Sequence, residues 1–260
     1  MKYKQLGNTK VKISEIGQGT WQYRGGIEPL RLGVSLGANH IDTAEVYGTE
    51  ETVGEAIGKD RDKVFLATKV SPSHLHHDDV IKAAEASLRR LNTKNVDLYM
   101  IHWPNSKIPI EETMRAMEEL VSQGKIKHIG VSNFSVEELK EAQRALSKNA
   151  IVSNQVEYNL SNREIEGELV PYCKKEKITI VAYSPLGRGN IPSGKKSDLL
   201  DKIASKYKKT QAQVVLNFLT REDNVVTIPK ASSVDHVREN CEASGWRLSE
   251  EDIRSIDENF

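Results

Sequence analysis

The sequence lacks several features that would assign it to a common class of protein. It has only two cysteines, Cys173 and Cys241, far apart in the chain, which excludes a disulfide framework and a cysteine-based metal site. Its basic and acidic residues both number 37, so the net charge is zero and no basic surface for nucleic acid is indicated. We expect neither a signal peptide nor a membrane span, because the N-terminal residues lack a long apolar stretch and no run in the chain approaches the length of a span. We therefore expect a cytoplasmic protein that binds neither membranes nor nucleic acid.

Two glycine-rich phosphate-binding motifs are also absent. Gly17-Gln-Gly19 is followed by Thr-Trp-Gln, without the third glycine of a Gly-x-Gly-x-x-Gly loop. The loop 189–196 ends in Lys196, where a P-loop has serine or threonine for Mg²⁺. A Rossmann fold and a P-loop are therefore not indicated, although the loop 189–196 is compatible with a basic flap over a pyrophosphate or with a plain solvated loop.

What the chain does contain is a regular alternation of apolar runs and amphipathic segments. The predicted strands cover residues 13–21, 40–43, 64–70, 96–102, 126–132, 151–156, 178–183 and 225–228. Predicted helices cover residues 28–36, 51–58, 78–91, 110–123, a segment capped by Ser135 and Glu138, 163–176, 197–207, 211–219, 234–241 and 249–256. Eight strand–helix units suit a chain of 260 residues. We predict a single (β/α)8 TIM barrel, with residues 1–260 as one domain.

Polar residues stand where three of the predicted strands end: Asp42, Lys69 and His102. The ends of parallel barrel strands meet at one rim, which is where such barrels place their active sites. Tyr47 follows the second strand, and a nearby lysine stabilises a phenolate and lowers the pKa of the phenol. The pattern predicts a proton donor, Tyr47, tuned by Lys69 and Asp42, with His102 orienting a carbonyl.

Three alternatives to this interpretation stay open. Lys69 and Asp42 would also suit a buried ion pair that only stabilises the barrel. A desolvated lysine at this rim would also suit a lyase that forms a Schiff base. A barrel that binds a cofactor without turning it over would be a redox sensor.

The chain resembles the aldo-keto reductase superfamily in seven motifs that occur in family order. They are Asp42-Thr-Ala-x-x-Tyr47-Gly48-x-Glu50, Ala67-Thr-Lys69, Leu98-Tyr-Met-Ile-His102-Trp103-Pro104, Ile129-Gly-Val-Ser132-Asn133-Phe134, Asn154-Gln155-Val-Glu-Tyr-Asn159, Val181-Ala-Tyr183-Ser184-Pro-Leu186-Gly187 and Ile228-Pro-Lys230. The resemblance implies a (β/α)8 barrel that transfers hydride from a nicotinamide cofactor to a carbonyl. It also implies that Tyr47 is the general acid, that Lys69 and Asp42 tune it, and that His102 positions the carbonyl oxygen.

The nicotinamide end of a cofactor site is predicted at the ends of the later strands. Ser132, Asn133 and Gln155 offer donors and acceptors for a carboxamide, and Tyr183 offers a flat face for the ring. Without the resemblance, Asn133 and Gln155 would also suit amides that cap loops. The resemblance adds further cofactor contacts at Gly19, Thr20, Trp21, Asp42, Ser184, Leu186, Gly187 and Arg188.

The adenosine end departs from the pattern that is frequent in the family. Lys230 is present, but Ala231 replaces a serine and His236 replaces an arginine, which removes a guanidinium that would bind phosphate with two hydrogen bonds. We expect contacts there from Lys230, Ser232, His236, Glu239 and Asn240. NADP(H) is the expected cofactor, and use of NAD(H) as well stays open.

The sequence also bears on metal binding, substrate and assembly. His74, His76 and His77 match no closed zinc motif, so no metal site is predicted. Trp21 and Trp103 are expected to form apolar walls for a small-molecule carbonyl substrate, together with Tyr47 and His102. The short loops and short C-terminal end predict an open pocket that tolerates various small or polar carbonyls. We expect a monomer.

Overall fold

The computed structural model describes residues 1–190 and 193–260 of the chain. Eight parallel strands follow one another in sequence order around a barrel. They are β3 (Gln18–Gly19), β4 (His40–Asp42), β5 (Phe65–Val70), β6 (Val96–Ile101), β7 (Ile126–Ser132), β8 (Ile151–Glu157), β9 (Thr179–Tyr183) and β10 (Val225–Thr227). The predicted (β/α)8 barrel is confirmed.

The barrel closes between its first and last strands. Ile16, just before β3, pairs in parallel with Thr227 of β10. The amide of Gly19 donates to the carbonyl oxygen of Pro229 at 3.2 Å, just beyond β10. A Cβ atom at Gly19 would lie 2.6 Å from the carbonyl oxygen of Ile228, so only glycine permits this approach. Closure gathers all strand ends onto one rim.

Helices surround the barrel. They are α1 (Glu28–Ser35), α2 (Glu50–Ile57), α3 (His77–Arg90), α4 (Ile110–Ser122), α5 (Val136–Ala145), α6 (Leu169–Lys175), α7 (Lys195–Tyr207), α8 (Gln211–Leu219), α9 (Val234–Cys241) and α10 (Glu250–Asn259). Of these, α1 to α8 connect consecutive strands, and α9 and α10 follow the last strand. The predicted capping box at α5 is present: Ser135 Oγ accepts from the Glu138 amide, and the Glu138 carboxylate accepts from the Ser135 amide. Ser249 caps α10 in the expected place.

Strands β5 and β6 are buried along their whole length because helices cover one face and the barrel interior covers the other. The interior is packed with apolar side chains and is therefore a core rather than a pore. Its members are Leu6, Ile13, Phe65, Ala67, Leu98, Met100, Val152, Val181, Val226 and Ile228.

The N-terminal region differs from its predicted form. The predicted strand 13–21 is two separate elements: β2 (Lys12–Ser14) pairs antiparallel with β1 (Tyr3–Gln5), and only β3 enters the barrel. This hairpin covers the end of the barrel opposite the strand carboxyl ends, where Lys4 Nζ donates to the carbonyl oxygens of Thr220, Glu222 and Val225. Each strand of the hairpin has only three residues, too few to show the alternating pattern that reveals a strand.

The predicted helix 163–176 is also wrong in its first half. A short 3-10 turn, Glu164–Glu166, precedes α6, and Gly167 lies between them. Within the described ranges, none of the helices combines the length and the apolar character that a membrane crossing requires. The loop 189–196 contains Ile191 and Pro192, which lie outside the described residues, so its predicted role as a flap stays a prediction.

Candidate active site

A buried ion pair lies at the carboxyl ends of β4 and β5. Lys69 on β5 and Asp42 on β4 are 0% and 2% exposed, and their Nζ and Oδ1 atoms are 2.7 Å apart. Lys69 Nζ also donates to the carbonyl oxygen of Thr43 at 2.9 Å. The second carboxylate oxygen, Oδ2, accepts from Nε2 of Gln155 at 2.8 Å. Groups at or near the carboxyl ends of β4, β5 and β8 therefore hold the pair, and the ammonium position is fixed.

Tyr47 and His102 complete a group of four side chains around this pair. Tyr47 OH lies 3.5 Å from Lys69 Nζ and 3.3 Å from His102 Nε2. The Tyr47 and His102 rings meet edge to face at 5.4 Å between centroids. Lys69 Nζ lies 4.9 Å from the centroid of the Tyr47 ring. The structure thus brings together Asp42, Tyr47, Lys69 and His102, with one phenol between an ammonium and an imidazole.

The electrostatics of these groups correct one sequence-based prediction. Burial raises the pKa of Tyr47 and outweighs the Lys69 ammonium, which acts in the predicted, lowering direction. Burial lowers the pKa of Lys69, but the Asp42 carboxylate and Tyr47 outweigh it, so the net pKa is raised and the amine is an ammonium. Burial, and then Lys69, lower the pKa of His102 to about 4, so its imidazole is neutral at pH 7. At neutral pH the phenol is protonated and available as a donor.

An array of polar side chains continues from this group around the rim. Asn133 Nδ2 donates to the carbonyl oxygen of His102 at 3.1 Å and to Ser132 Oγ at 3.0 Å. Tyr183 OH donates to Asn133 Oδ1 at 3.0 Å. Ser132 Oγ donates to the carbonyl oxygen of Gln155 at 2.9 Å. Asn133 and Ser184 have left-handed backbone conformations, with φ of 64° and 48°, at positions where such strain often accompanies function.

Two basic side chains and a histidine lie near the end of the last strand. Lys230 follows β10, and His236 and Arg238 lie on α9; all of them are exposed. Ser232 Oγ accepts from the amide of Arg24 at 3.3 Å, which joins this segment to the loop after β3. Glu239 is half-buried and Asn240 is buried on α9. Amides and hydroxyls at one end and cations at the other fit the carboxamide and the phosphates of a nicotinamide dinucleotide, which is the donor set that NADP(H) requires.

Aromatic side chains border the mouth of the barrel. Trp21 is 43% exposed and Trp103 is 49% exposed, both directly after barrel strands. Arg188, whose φ is 58°, places its guanidinium 5.3 Å from the centroid of the Trp21 ring. Gly19 and Thr20 are buried beneath this edge, and Leu186 and Gly187 are half-buried in the facing loop. An apolar surface of this kind at the mouth suits a small organic substrate.

The histidines after β5 each have a separate carboxylate neighbour. His74 Nδ1 lies 3.1 Å from Glu45, His76 Nδ1 lies 3.2 Å from Glu112, and His77 lies near Asp78 and Glu119. Among the described residues, no cluster of three or more His, Cys, Asp or Glu side chains is arranged to hold a metal ion. These contacts instead join the segment after β5 to the start of α4 and to the turn that carries Tyr47.

Several residues in and beside the site have no role predicted from the sequence. The Thr43 carbonyl binds the Lys69 ammonium, and the buried Glu50 accepts from Thr68 Oγ1 at 2.6 Å and from Arg90 Nε at 2.6 Å. Glu45 accepts from the backbone amide of Ser71. Glu50 belongs to the first family motif, which is the signal that could have identified it. Thr43 acts through its backbone carbonyl and Glu45 binds a backbone amide, and such contacts leave no pattern in the sequence.

A model of the Aldo/keto reductase family matches residues 15–259. Methylglyoxal reductase YeaE of Escherichia coli (strain K12) is 39% identical over 262 residues, covering 96% of this chain and 92% of that protein. The crystal structure of the thermostable aldo-keto reductase Tm1743 with the inhibitor epalrestat is 44% identical, with a TM-score of 0.94 and 99% of each chain covered. An aldo-keto reductase from Klebsiella pneumoniae in complex with NADPH is 36% identical, with a TM-score of 0.93, covering 100% of this chain and 95% of that one.

Proposed function

The chain belongs to the aldo/keto reductase family, and from that premise we propose that Asp42, Tyr47, Lys69 and His102 carry out its NADPH-dependent reduction of carbonyls. The observation that supports these roles most strongly is the phenol of Tyr47 held between Lys69 Nζ and His102 Nε2. Mutation of Tyr47, described in the Discussion, tests the proposal.

The proposed roles follow from the protonation states of the four side chains. NADPH, when bound, supplies a hydride to the carbonyl carbon, so that negative charge develops on the carbonyl oxygen. Tyr47 donates its phenolic proton to that oxygen, and the Lys69 ammonium stabilises the phenolate that is left. Asp42 keeps Lys69 protonated and in place. The neutral His102 donates from Nε2 to the substrate oxygen and orients it.

The Schiff-base alternative is disfavoured by the state of Lys69. A nucleophilic lysine must be a free amine. Lys69 is protonated, and its ammonium donates to Asp42, Thr43 and Tyr47, which uses all three protons. The sensor alternative provides no reason for a phenol held between an ammonium and an imidazole.

For the cofactor contacts, we propose that Ser132, Asn133 and Gln155 bind the carboxamide and that Tyr183 stacks on the nicotinamide ring. The loop residues Gly19, Thr20, Trp21, Ser184, Leu186, Gly187 and Arg188 border the cofactor. Lys230 is proposed to pair with the 2′-phosphate, supported by Ser232, His236, Glu239 and Asn240. The replacement of the usual arginine by His236 leaves some use of NADH.

Two substitutions test the phosphate contact. Lys230→Ala is expected to raise the Kd for NADPH about tenfold while leaving the Kd for NADH unchanged, because a charge-assisted contact to phosphate is lost. His236→Arg is expected to tighten NADPH binding selectively, because a guanidinium binds phosphate through two hydrogen bonds. Quenching of tryptophan fluorescence measures both constants, with Lys82→Ala on α3 as a control for removal of a surface charge. Equal effects of Lys230→Ala on the two cofactors would refute the contact.

For the substrate, we propose small carbonyls that include 2-oxoaldehydes, the class named in the E. coli relative. The exposed faces of Trp21 and Trp103 give an apolar border to the mouth of the barrel. Values of kcat/KM for glyoxal, methylglyoxal and phenylglyoxal are expected to lie within about tenfold of one another, since one added group in an open apolar site changes binding by only about 1–3 kcal/mol. A loss of several orders of magnitude along this series would contradict the proposed tolerance.

We further propose that the protein acts as a monomer in the cytoplasm. All the proposed site residues come from one chain, and the two cysteines, Cys173 and Cys241, are free thiols. Light scattering at assay concentration, with activity measured on the same sample, tests the monomer. A dimer whose dissociation abolishes activity would contradict it.

A further inference from the structure

The proposed proton donor stands on a very short element. Tyr47 ends a 3-10 turn, Glu45–Tyr47, that lies between the extended Ala44 and the left-handed Gly48. Its backbone contact within the turn is the bond from the Tyr47 amide to the carbonyl oxygen of Ala44, at 3.0 Å. Val46, the middle residue, is 58% exposed and gives the turn little apolar anchorage. One turn of 3-10 helix has little rigidity of its own, so its position depends on side-chain contacts.

Glu45 provides such a contact, directed toward the strand that carries Lys69. Its side chain is only 9% exposed, and Oε1 accepts from the backbone amide of Ser71. Ser71 directly follows β5, two residues beyond Lys69. His74 Nδ1 lies 3.1 Å from the same carboxylate oxygen. The carboxylate therefore connects the turn that bears the phenol with the chain that bears the ammonium.

The contacts of the phenol leave little margin for movement. The separations of Tyr47 OH from Lys69 Nζ and from His102 Nε2, 3.5 and 3.3 Å, are already near the limit for a hydrogen bond. An outward shift of the turn by several tenths of an ångström would break both contacts. We infer that Glu45 is a positioning residue that holds Tyr47 within reach of Lys69 and His102 by binding the backbone of Ser71. The inference rests on the proposed role of Tyr47 as the acid.

The experiment compares substitutions at Glu45 with a matched control. Glu112 at the start of α4 makes the same kinds of contact, to a backbone amide (His77, 3.0 Å) and to a histidine ring (His76, 3.2 Å), but does not contact the turn that carries Tyr47. Glu45→Ala is expected to lower kcat for methylglyoxal about 10–100-fold, the effect of misplacing a reacting group by up to about 1 Å. The KM and the Kd for NADPH should change less than about twofold. Glu112→Ala should keep a kcat near that of the unmodified protein.

Conservative variants separate positioning from stability. Glu45→Gln keeps an oxygen that accepts from the Ser71 amide, so most of kcat should return. Glu45→Asp is one methylene too short to reach the Ser71 amide, so its kcat should fall as that of Glu45→Ala does. It replaces Glu45→Ala in the comparison if Glu45→Ala fails to fold. A kcat that follows Tm across these variants, or a Glu45→Asp variant with unchanged kcat, would overturn the inference.

Tyr47→Phe is assayed beside these variants to distinguish the proposed acid role of Tyr47 from the proposed positioning role of Glu45. If Tyr47→Phe retains turnover, the proposed acid is wrong. If Tyr47→Phe loses turnover while Glu45→Ala and Glu45→Asp retain it, only the positioning role of Glu45 is wrong.

Discussion

Replacing Tyr47 with phenylalanine is expected to lower kcat for carbonyl reduction by about 10²–10⁴-fold, the usual contribution of a positioned general acid. The substitution removes only the hydroxyl that lies 3.5 Å from Lys69 Nζ and 3.3 Å from His102 Nε2. Both kcat and kcat/KM should fall together, because the lost interaction is made in the transition state. Oxidation of NADPH with methylglyoxal, followed at saturating substrate, measures the loss.

Measuring the Kd for NADPH shows whether the loss of kcat in Tyr47→Phe arises in the chemical step or in cofactor binding. The Kd for NADPH should stay within about twofold, since the ring of Tyr47 and the proposed carboxamide contacts remain. Tyr3→Phe serves as the control, because Tyr3 lies in the hairpin at the opposite end of the barrel, where its hydroxyl donates to the carbonyl oxygen of Gly37. A Tyr47→Phe variant with more than half of the original kcat would remove Tyr47 from the mechanism.

Replacing Lys69 with methionine is expected to abolish turnover and to lower the free energy of unfolding by about 3–5 kcal/mol. Lys69 is fully buried, so its loss leaves the carboxylate of Asp42 in the barrel without its cation. The remaining partner of that carboxylate, Gln155 Nε2, is a neutral donor and cannot compensate a full charge. Urea unfolding followed by tryptophan fluorescence measures the stability, and the NADPH assay measures turnover.

A double substitution distinguishes the two roles of the pair. Lys69→Met combined with Asp42→Asn removes the uncompensated charge, so the double variant should be more stable than Lys69→Met alone. Its turnover should remain as low, because neither an ammonium nor an anchored proton donor is present. Recovery of turnover in the double variant would mean that the pair only stabilises the barrel, the alternative that the sequence left open.

The fold and the four central side chains were predictable because strand ends leave a clear signal. In a parallel barrel the buried strands read as apolar runs, so a charged residue such as Lys69 at the end of β5 marks the rim. The same reasoning predicts that Asp42 and His102 lie on this rim. Closure of the sheet then brings residues of different strands together.

Other features depend on geometry that residue types do not encode. The predicted first strand is divided between two elements, and β3 keeps only Gln18 and Gly19 of it. The 3-10 turn under Tyr47 and the left-handed Asn133 are set by tertiary contacts, which override local preference. The net rise in the pKa of Tyr47 follows from how deeply the ring is buried, a quantity that the sequence did not supply.

The pH dependence of kcat tests the central claim, that a neutral phenol rather than an imidazolium donates the proton. Tyr47 must be protonated to donate, and burial raises its pKa above the ordinary value of 10.0. His102 has a pKa of about 4 and would donate as a cation only below that value. We predict that kcat at saturating NADPH and methylglyoxal is constant between about pH 6 and 9. A steady one-proton loss of kcat through that range would contradict the account.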